Sequence, residues 1–178
     1  MIVTVLVLIA IAAGVGAVAY AKSYNGLVTA RQKVSDAWAV VDAELERRHK
    51  LIPGLVNAIR ATAAHEQRLL LDLIEADRRA AATEHSAAKR SDPEADLEAA
   101  AHAVVALRVA YPALNSQRNF LELQHELAMT EDRIGAARRF HNIKVAELDR
   151  RIQAVPGNLI AGRHAIVKAD YFGSDSPR

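Results

Sequence analysis

The chain contains no cysteine. Disulfide frameworks, thiolate zinc sites, iron-sulfur ligation and cysteine nucleophiles are therefore excluded, and the redox compartment stays open. Aromatic residues are scarce, at 4% of 178 positions, whereas alanine fills 36 of them. That balance favours long helices and supplies few strand formers, so an all-β fold is excluded. Charge of one sign is lacking too: 23 Lys and Arg against 21 Asp and Glu leave a formal +2. A domain so near neutrality does not bind the phosphate backbone as a polycation, and nucleic acid is not an expected partner. The glycine patterns of phosphate-binding loops and nucleophile elbows are missing, since Gly14-x-Gly16 falls inside an apolar run.

That apolar run is the first positive feature. Between Met1 and Ala21 no residue is charged, only Thr4 is clearly polar, and Lys22 is the first charged side chain. At 1.5 Å per residue the run makes roughly 31 Å of helix, enough to cross a hydrocarbon core of about 30 Å. Ala19-Tyr20-Ala21 before Lys22 has the form of a signal-peptidase site. However, the stretch lacks a basic leading segment, and its apolar run exceeds the about 7 to 15 residues usual in signal peptides, so an uncleaved span is expected. Lys22, Arg31 and Lys33 follow the span and no basic residue precedes it, which predicts an outside N-terminus and a cytoplasmic body. Ala10, Ala13, Gly14, Ala17 and Ala21 recur at spacings of three and four, a ridge that lets helices approach closely in lipid.

The rest of the chain is divided by Pro53, Pro93, Pro112, Pro156 and Pro177 into long proline-free segments. Residues 22–52 carry an apolar seam through Leu27, Val34, Trp38, Val41, Leu45 and Ile52, with Trp38 expected at its centre. Leu51-Ile52-Pro53-Gly54 reads as a break, after which Pro53 opens a second helix reaching about Ala82, with Leu55, Ile59, Ala63, Leu70, Leu73 and Ala76 as its seam. Residues 83–92 lose the apolar period and read as the longest loop, His85 within it. A third helix follows from Pro93 to Ala110, with Asp92 as N-cap. Tyr111-Pro112 marks a further break. The last long helix repeats Phe120, Leu123, Leu127, Thr130, Ile134, Ala137, His141, Lys144 and Leu148 over about four heptads. The expected architecture is all-α: a transmembrane anchor at 1–21, an antiparallel four-helix bundle at 22–170 and a tail at 171–178.

Chemistry is harder to find. Two Glu-x-x-His matches, Glu46-Arg-Arg-His49 and Glu122-Leu-Gln-His125, have the spacing of di-iron ligands in bundles. Such ligands must point inward, whereas Glu122 and His125 lie off the seam of the last helix and Glu46 and His49 flank that of the first. They read as solvated surface charge, and neither a metal nor another cofactor is expected. The cluster Arg47-Arg48-His49-Lys50 is diluted by Glu44 and Glu46 and has no interleaved aromatics, so it reads as a solvated helix face. His65-Glu66 and His125-Glu126 lack the second histidine of a zinc-protease motif, and His102 and His164 lack carboxylates at ligand spacing.

Two blocks of sequence stand out by the order and spacing of their residues. The first runs through Tyr24-Asn25-Gly26-Leu27-Val28, Arg31, Val34, Ala37-Trp38-Ala39, Asp42, Leu45, Arg47-Arg48 and Leu51-Ile52-Pro53-Gly54-Leu55-Val56. The second takes in His65-Glu66, Tyr111-Pro112, Asn119-Phe120-Leu121, Leu123, Glu126-Leu127, Thr130-Glu131, Arg133-Ile134, Ala137-Arg138-Arg139, Asn142, Val145, Pro156, Asn158 and Tyr171-Phe172. Together these blocks resemble the LemA family, and the resemblance covers nearly the whole chain. It implies a bacterial membrane protein with one N-terminal span, an outside N-terminus and a cytoplasmic helical bundle, without established enzymatic activity. His141 stands where the family usually has tyrosine, and Val155 where it often has phenylalanine. The expected role is a non-enzymatic, membrane-anchored module that self-assembles into a homo-oligomer or scaffolds other membrane proteins. The alternative from another class is a metal-dependent bundle enzyme using the Glu-x-x-His pairs.

Overall fold

The computed structural model describes residues 1–63, 65–84 and 86–173. His85 and residues 174–178 of the expected tail lie outside the described residues. Among the described residues five α-helices follow in order: α1 (Ile2–Arg60), α2 (Gln67–Ala81), α3 (Ala87–Ala110), α4 (Arg118–Gln153) and the short α5 (Gly157–Arg163), with a 3-10 turn at Pro112–Ser116 before α4. Among the described residues there is no strand. The chain divides into two compact units, one of Met1–Asp36 with Ile143–Ala169 and one of Ala37–Asn142 with Asp170–Arg178.

Helix α1 corrects the expected break at Leu51–Gly54, because it runs straight through Pro53 to Arg60. An interior proline costs about 3 kcal/mol through its missing N–H and the clash of its ring. Continuing the helix buries Ile52, Leu55, Val56 and Ile59, worth roughly 1.5–3 kcal/mol each, so burial outweighs the proline. Pro53 itself faces solvent. Gly54 lets this stretch approach α4, since a Cβ there would sit 3.2 Å from the Leu123 side chain. The second helix accordingly begins at Gln67 rather than at Pro53.

Helix α3 makes a second correction: it starts at Ala87, inside the segment expected to be a loop, and contains Pro93. Its N-cap is Ser86, whose side chain accepts from the Lys89 N–H at 3.4 Å, and not Asp92. The added residues carry Arg90, which is buried one turn before the buried Glu94. Tyr111 caps the end of α3, where the break at Tyr111-Pro112 was expected.

In the larger unit, Ile52, Leu55 and Ile59 of α1, Leu70, Leu73 and Ala76 of α2, Leu97, Ala101 and Val104 of α3, and Phe120 and Leu127 of α4 share one apolar core. A second cluster joins Val41 and Leu45 with Ala87, Ile134, Ala137 and Phe172, and Trp38 packs against it only partly buried. The seam position expected for Trp38 is taken by Ala37, which is buried. In register with Val41 and Leu45, the small residue fits the tight helix contact and the large indole stands at its rim. Leu123 is half-buried on the same seam of α4 as the buried Leu127 and Ile134.

In the smaller unit, residues 1–22 of α1 are exposed along their whole length, the packing ridge Ala10, Ala13, Gly14, Ala17 and Ala21 included. This stretch is long and apolar enough to cross a membrane, with a mean hydropathy of 2.8. Beyond it Leu27, Ala30 and Val34 are buried, as are Val145, Leu148, Ile160, Ala161 and Ile166 of the unit's second segment. The turn into α5 lies against the start of this stretch: a Cβ on Gly157 would come within 2.1 Å of the Arg151 carbonyl and 3.9 Å of the Ser23 hydroxyl.

Candidate functional site

The larger unit holds a polar core fed by all four of its helices. Arg48 of α1 has a side chain only 1% exposed and sits on the apolar register between Leu45 and Ile52. Its Nη2 donates to the Glu94 carboxylate at 2.5 Å and to the Glu94 carbonyl at 3.1 Å, and its Nη1 donates to both oxygens of Glu131 at 3.0 and 3.1 Å. Glu94 of α3, 3% exposed, also accepts from Arg90 Nη2 at 2.8 Å, and Arg90 in turn pairs with Asp42. His49 completes the set, with Nδ1 2.6 Å from Asp77 of α2 and Nε2 3.3 Å from Glu94. One carboxylate therefore meets three cationic side chains.

The protonation of His49 follows from geometry. Both ring nitrogens face carboxylate oxygens, which only accept, so both must donate, and only the imidazolium can do so. In agreement, the hydrogen bonds to Asp77 and Glu94 outweigh burial and raise its pKa to about 9. Burial alone would push the Glu94 carboxyl up, yet hydrogen bonding to His49 and the Arg48 charge hold it at about 2. For Glu131 burial prevails over the Arg48 charge and the carboxyl is shifted upward. A carboxylate held this low and already accepting from three donors is a poor general base. The cluster ties α1 to α2 through Asp77, to α3 through Glu94 and to α4 through Glu131.

Beside the network lies a cleft of about 310 Å³, lined by Arg48, Glu94, Glu98, Glu131, Arg138 and Phe172 among others. Phe172 is seated by Asn142, whose Nδ2 donates to the Phe172 carbonyl at 3.1 Å and whose Oδ1 accepts from the Phe172 N–H at 3.0 Å. His141 Nδ1 lies 3.3 Å from the same Oδ1, so that nitrogen carries the proton. Trp38 meets the His141 and Phe172 rings edge-on, with both centroids 5.5 Å away. Burial lowers the His141 pKa against the pull of its bond to Asn142.

This arrangement corrects one expectation. Arg48 and His49 are not solvated surface charge, because the helix register that buries Leu45 and Ile52 carries Arg48 inward and His49 beside it. Arg47 and Lys50 do stay exposed, on Glu44 at 3.5 Å and Glu46 at 3.8 Å. The Glu-x-x-His pairs do not converge: Glu46 turns to solvent, His49 is engaged by Asp77 and Glu94, and Glu122 and His125 are exposed. Among the described residues no three His, Asp or Glu side chains are grouped as a metal site requires. Sequence reasoning missed Arg48, Arg90, Glu94, Glu131 and Asn142. The signal available for Arg48 and Glu94 was their place on the three-and-four spacing of their helices.

An all-helical chain with one long apolar N-terminal helix and a core polar network is the class defined here. The LemA family model matches residues 37–178, about four-fifths of the sequence, and the chain belongs to the LemA family. Among curated proteins no match is found.

Proposed function

We propose that the chain is a membrane-anchored, non-enzymatic helical bundle that acts as an assembly module at the cytoplasmic membrane. The observation that carries this is helix α1, which is uncharged and exposed through Ala21 while its last part supplies Ile52, Leu55 and Ile59 to a packed core. Exposed leucine, isoleucine and valine over that length have no stable place in water, and a bilayer is the solvent that suits them. Lys22, Arg31 and Lys33 set the orientation, with the body inside. Self-association fits the span, because a Cβ at Gly14 would meet nothing within 4 Å and the small-residue ridge is open to a neighbouring helix. Membrane fractions extracted with alkaline carbonate should retain the full chain and release a variant lacking residues 2–21. A reporter fused after Arg178 should be active only in the cytoplasm. Release of the intact chain by carbonate, or clipping of the body by protease added outside intact cells, contradicts the reading. Gly14→Leu should lower the oligomer mass in nanodiscs; a wild type that stays monomeric at high loading removes self-assembly.

A further inference from the structure

The smaller unit carries a surface that the single span does not explain. Val155, Leu159 and Val167 are 79%, 71% and 73% exposed, and they flank or lie on α5, whose other side is buried through Ile160 and Ala161. Three aliphatic side chains so close in sequence and so open are unusual for a surface that meets only water. Arg150, Arg163 and Lys168 are exposed around them. The unit holds eight Lys and Arg against three Asp and Glu, while the remainder of the chain has fifteen against eighteen. The excess of positive charge is therefore concentrated on the unit that bears the span.

The position of this surface is fixed against the end of the span. The Tyr20 hydroxyl lies 2.7 Å from His164 Nε2, and the Tyr24 and His164 rings pack at a tilt of 51° with centroids 4.7 Å apart. Gly26 admits the Arg151 guanidinium, which would lie 2.9 Å from a Cβ there. Residues 151–164 thus sit alongside residues 20–26 of α1, within about two helical turns of Ala21, the last residue of the uncharged run. Helical side chains lean toward the N-terminus, so the Tyr20 hydroxyl points to the lipid side of its own backbone and draws His164 with it. Tyrosine at this level is the residue type of the headgroup region.

We infer that residues 155–168 form a second, interfacial membrane contact, which seats Val155, Leu159 and Val167 among the headgroups of an anionic leaflet and sets Arg150, Arg163 and Lys168 on its phosphates. Apolar side chains on one side and basic ones around them are the composition of an in-plane membrane element, and anionic lipid attracts basic groups held within a Debye length of it. The consequence is mechanical: a span alone can tilt and rotate freely, whereas a second contact beside it restrains both. This inference rests on the span being in the bilayer.

The absence of cysteine makes the test direct. Single Leu159→Cys, Val167→Cys, Leu8→Cys and Leu71→Cys variants of the full chain would carry an environment-sensitive fluorophore in two bilayers, phosphatidylcholine alone and phosphatidylcholine with phosphatidylglycerol. Labels at 159 and 167 should be quenched by doxyl lipid and protected several-fold from iodide in the anionic bilayer. Protection should weaken in high salt and in the triple variant Arg150→Gln, Arg163→Gln, Lys168→Gln. The label at 71, on exposed α2, should stay open to iodide throughout. Labels at 159 and 167 that behave like the one at 71 overturn the inference, and so does iodide protection without quenching by doxyl lipid, which means a protein neighbour. Protection that ignores lipid charge overturns the assignment to anionic headgroups. The label at 8 separates this outcome from failure of the anchor itself, because an aqueous residue 8 removes the span and a lipid-quenched one leaves only the second contact in question.

Discussion

Glu94→Gln should be among the most destabilising near-isosteric changes in the chain. The side chain is buried and its carboxylate meets Arg48 at 2.5 Å, Arg90 at 2.8 Å and His49 at 3.3 Å. Glutamine keeps the shape, removes the charge and turns one NH2 toward groups that are all donors. Breaking a buried ion pair from one side costs about 3–5 kcal/mol, because the other charge stays buried. Here the loss is cushioned: Arg48 keeps Glu131, Arg90 keeps Asp42 and His49 keeps Asp77. The lower end, about 3 kcal/mol, is therefore expected, which for a chain of this size lowers the melting temperature by about 10 °C.

The assay is thermal melting followed by circular dichroism in a mild detergent, with Glu98→Gln as comparator. Glu98 lies 3.9 Å from Arg48 with half its side chain in solvent, so its loss should cost less than about 0.5 kcal/mol. Acid supplies a second check. The Glu94 pKa is depressed from 4.5 to about 2, so its contribution is complete above pH 4.5 and disappears as pH falls through 2. The gap between wild type and Glu94→Gln should therefore narrow over that range. Equal melting of the Glu94 and Glu98 variants at neutral pH would refute the claim that this carboxylate organises the polar core.

His49 has the opposite sign: its pKa rises from 6.5 to about 9, so its stabilisation is complete below pH 6.5 and is lost as pH rises through 9. Wild type should lose up to about 3 kcal/mol between pH 7 and 10, and melts of His49→Gln should be nearly flat there; this term overlaps that of Glu94 and does not add to it. Asn142→Ala removes both bonds that hold Phe172, costing about 1–3 kcal/mol and exposing the segment around Tyr171 to faster hydrogen exchange; unchanged exchange there would count against the clamp. Pro53→Ala, at an exposed position inside a continuous helix, should stabilise by up to about 3 kcal/mol, and a destabilised variant would mean that the proline's geometry is needed.

The apolar registers were legible in the sequence because spacing by threes and fours survives into the structure wherever a helix is buried on one side. Phe120, Leu127, Ile134 and Leu148 are all buried on α4, and Leu97, Ala101 and Val104 on α3. Prolines misled for a physical reason. Their cost is local and limited, whereas the burial at Ile52, Leu55 and Ile59 beyond Pro53, or the ion pairs of Arg90 and Glu94 around Pro93, depends on residues distant in sequence. The polar core was illegible for a related reason. Arg48 lies in a run of basic residues, and only its partners on α3 and α4 show that it is turned inward rather than outward. Phe172 was assigned to the tail because nothing near it in sequence signals the amide of Asn142, thirty residues earlier.

The scarcity of aromatic residues explains why such a network is useful in this core. With few aromatics, the helices meet through aliphatic side chains, and interleaved with the leucines and isoleucines Ala37, Ala76, Ala80, Ala101 and Ala137 are buried too. Alanine surfaces pack closely but are nearly featureless, so sliding one helix past another by a turn would cost them little apolar area. Such a slip moves side chains by about 5.4 Å, and contacts of 2.5–3.3 Å between Glu94 and its three cations cannot survive it. The charges would then be buried without partners, at a cost of about 3–5 kcal/mol for each pair broken. Arg48, His49 and Asp42 on α1, Asp77 on α2, Arg90 and Glu94 on α3 and Glu131 on α4 meet together at the native register, which makes the network an element that distinguishes that alignment of the four helices.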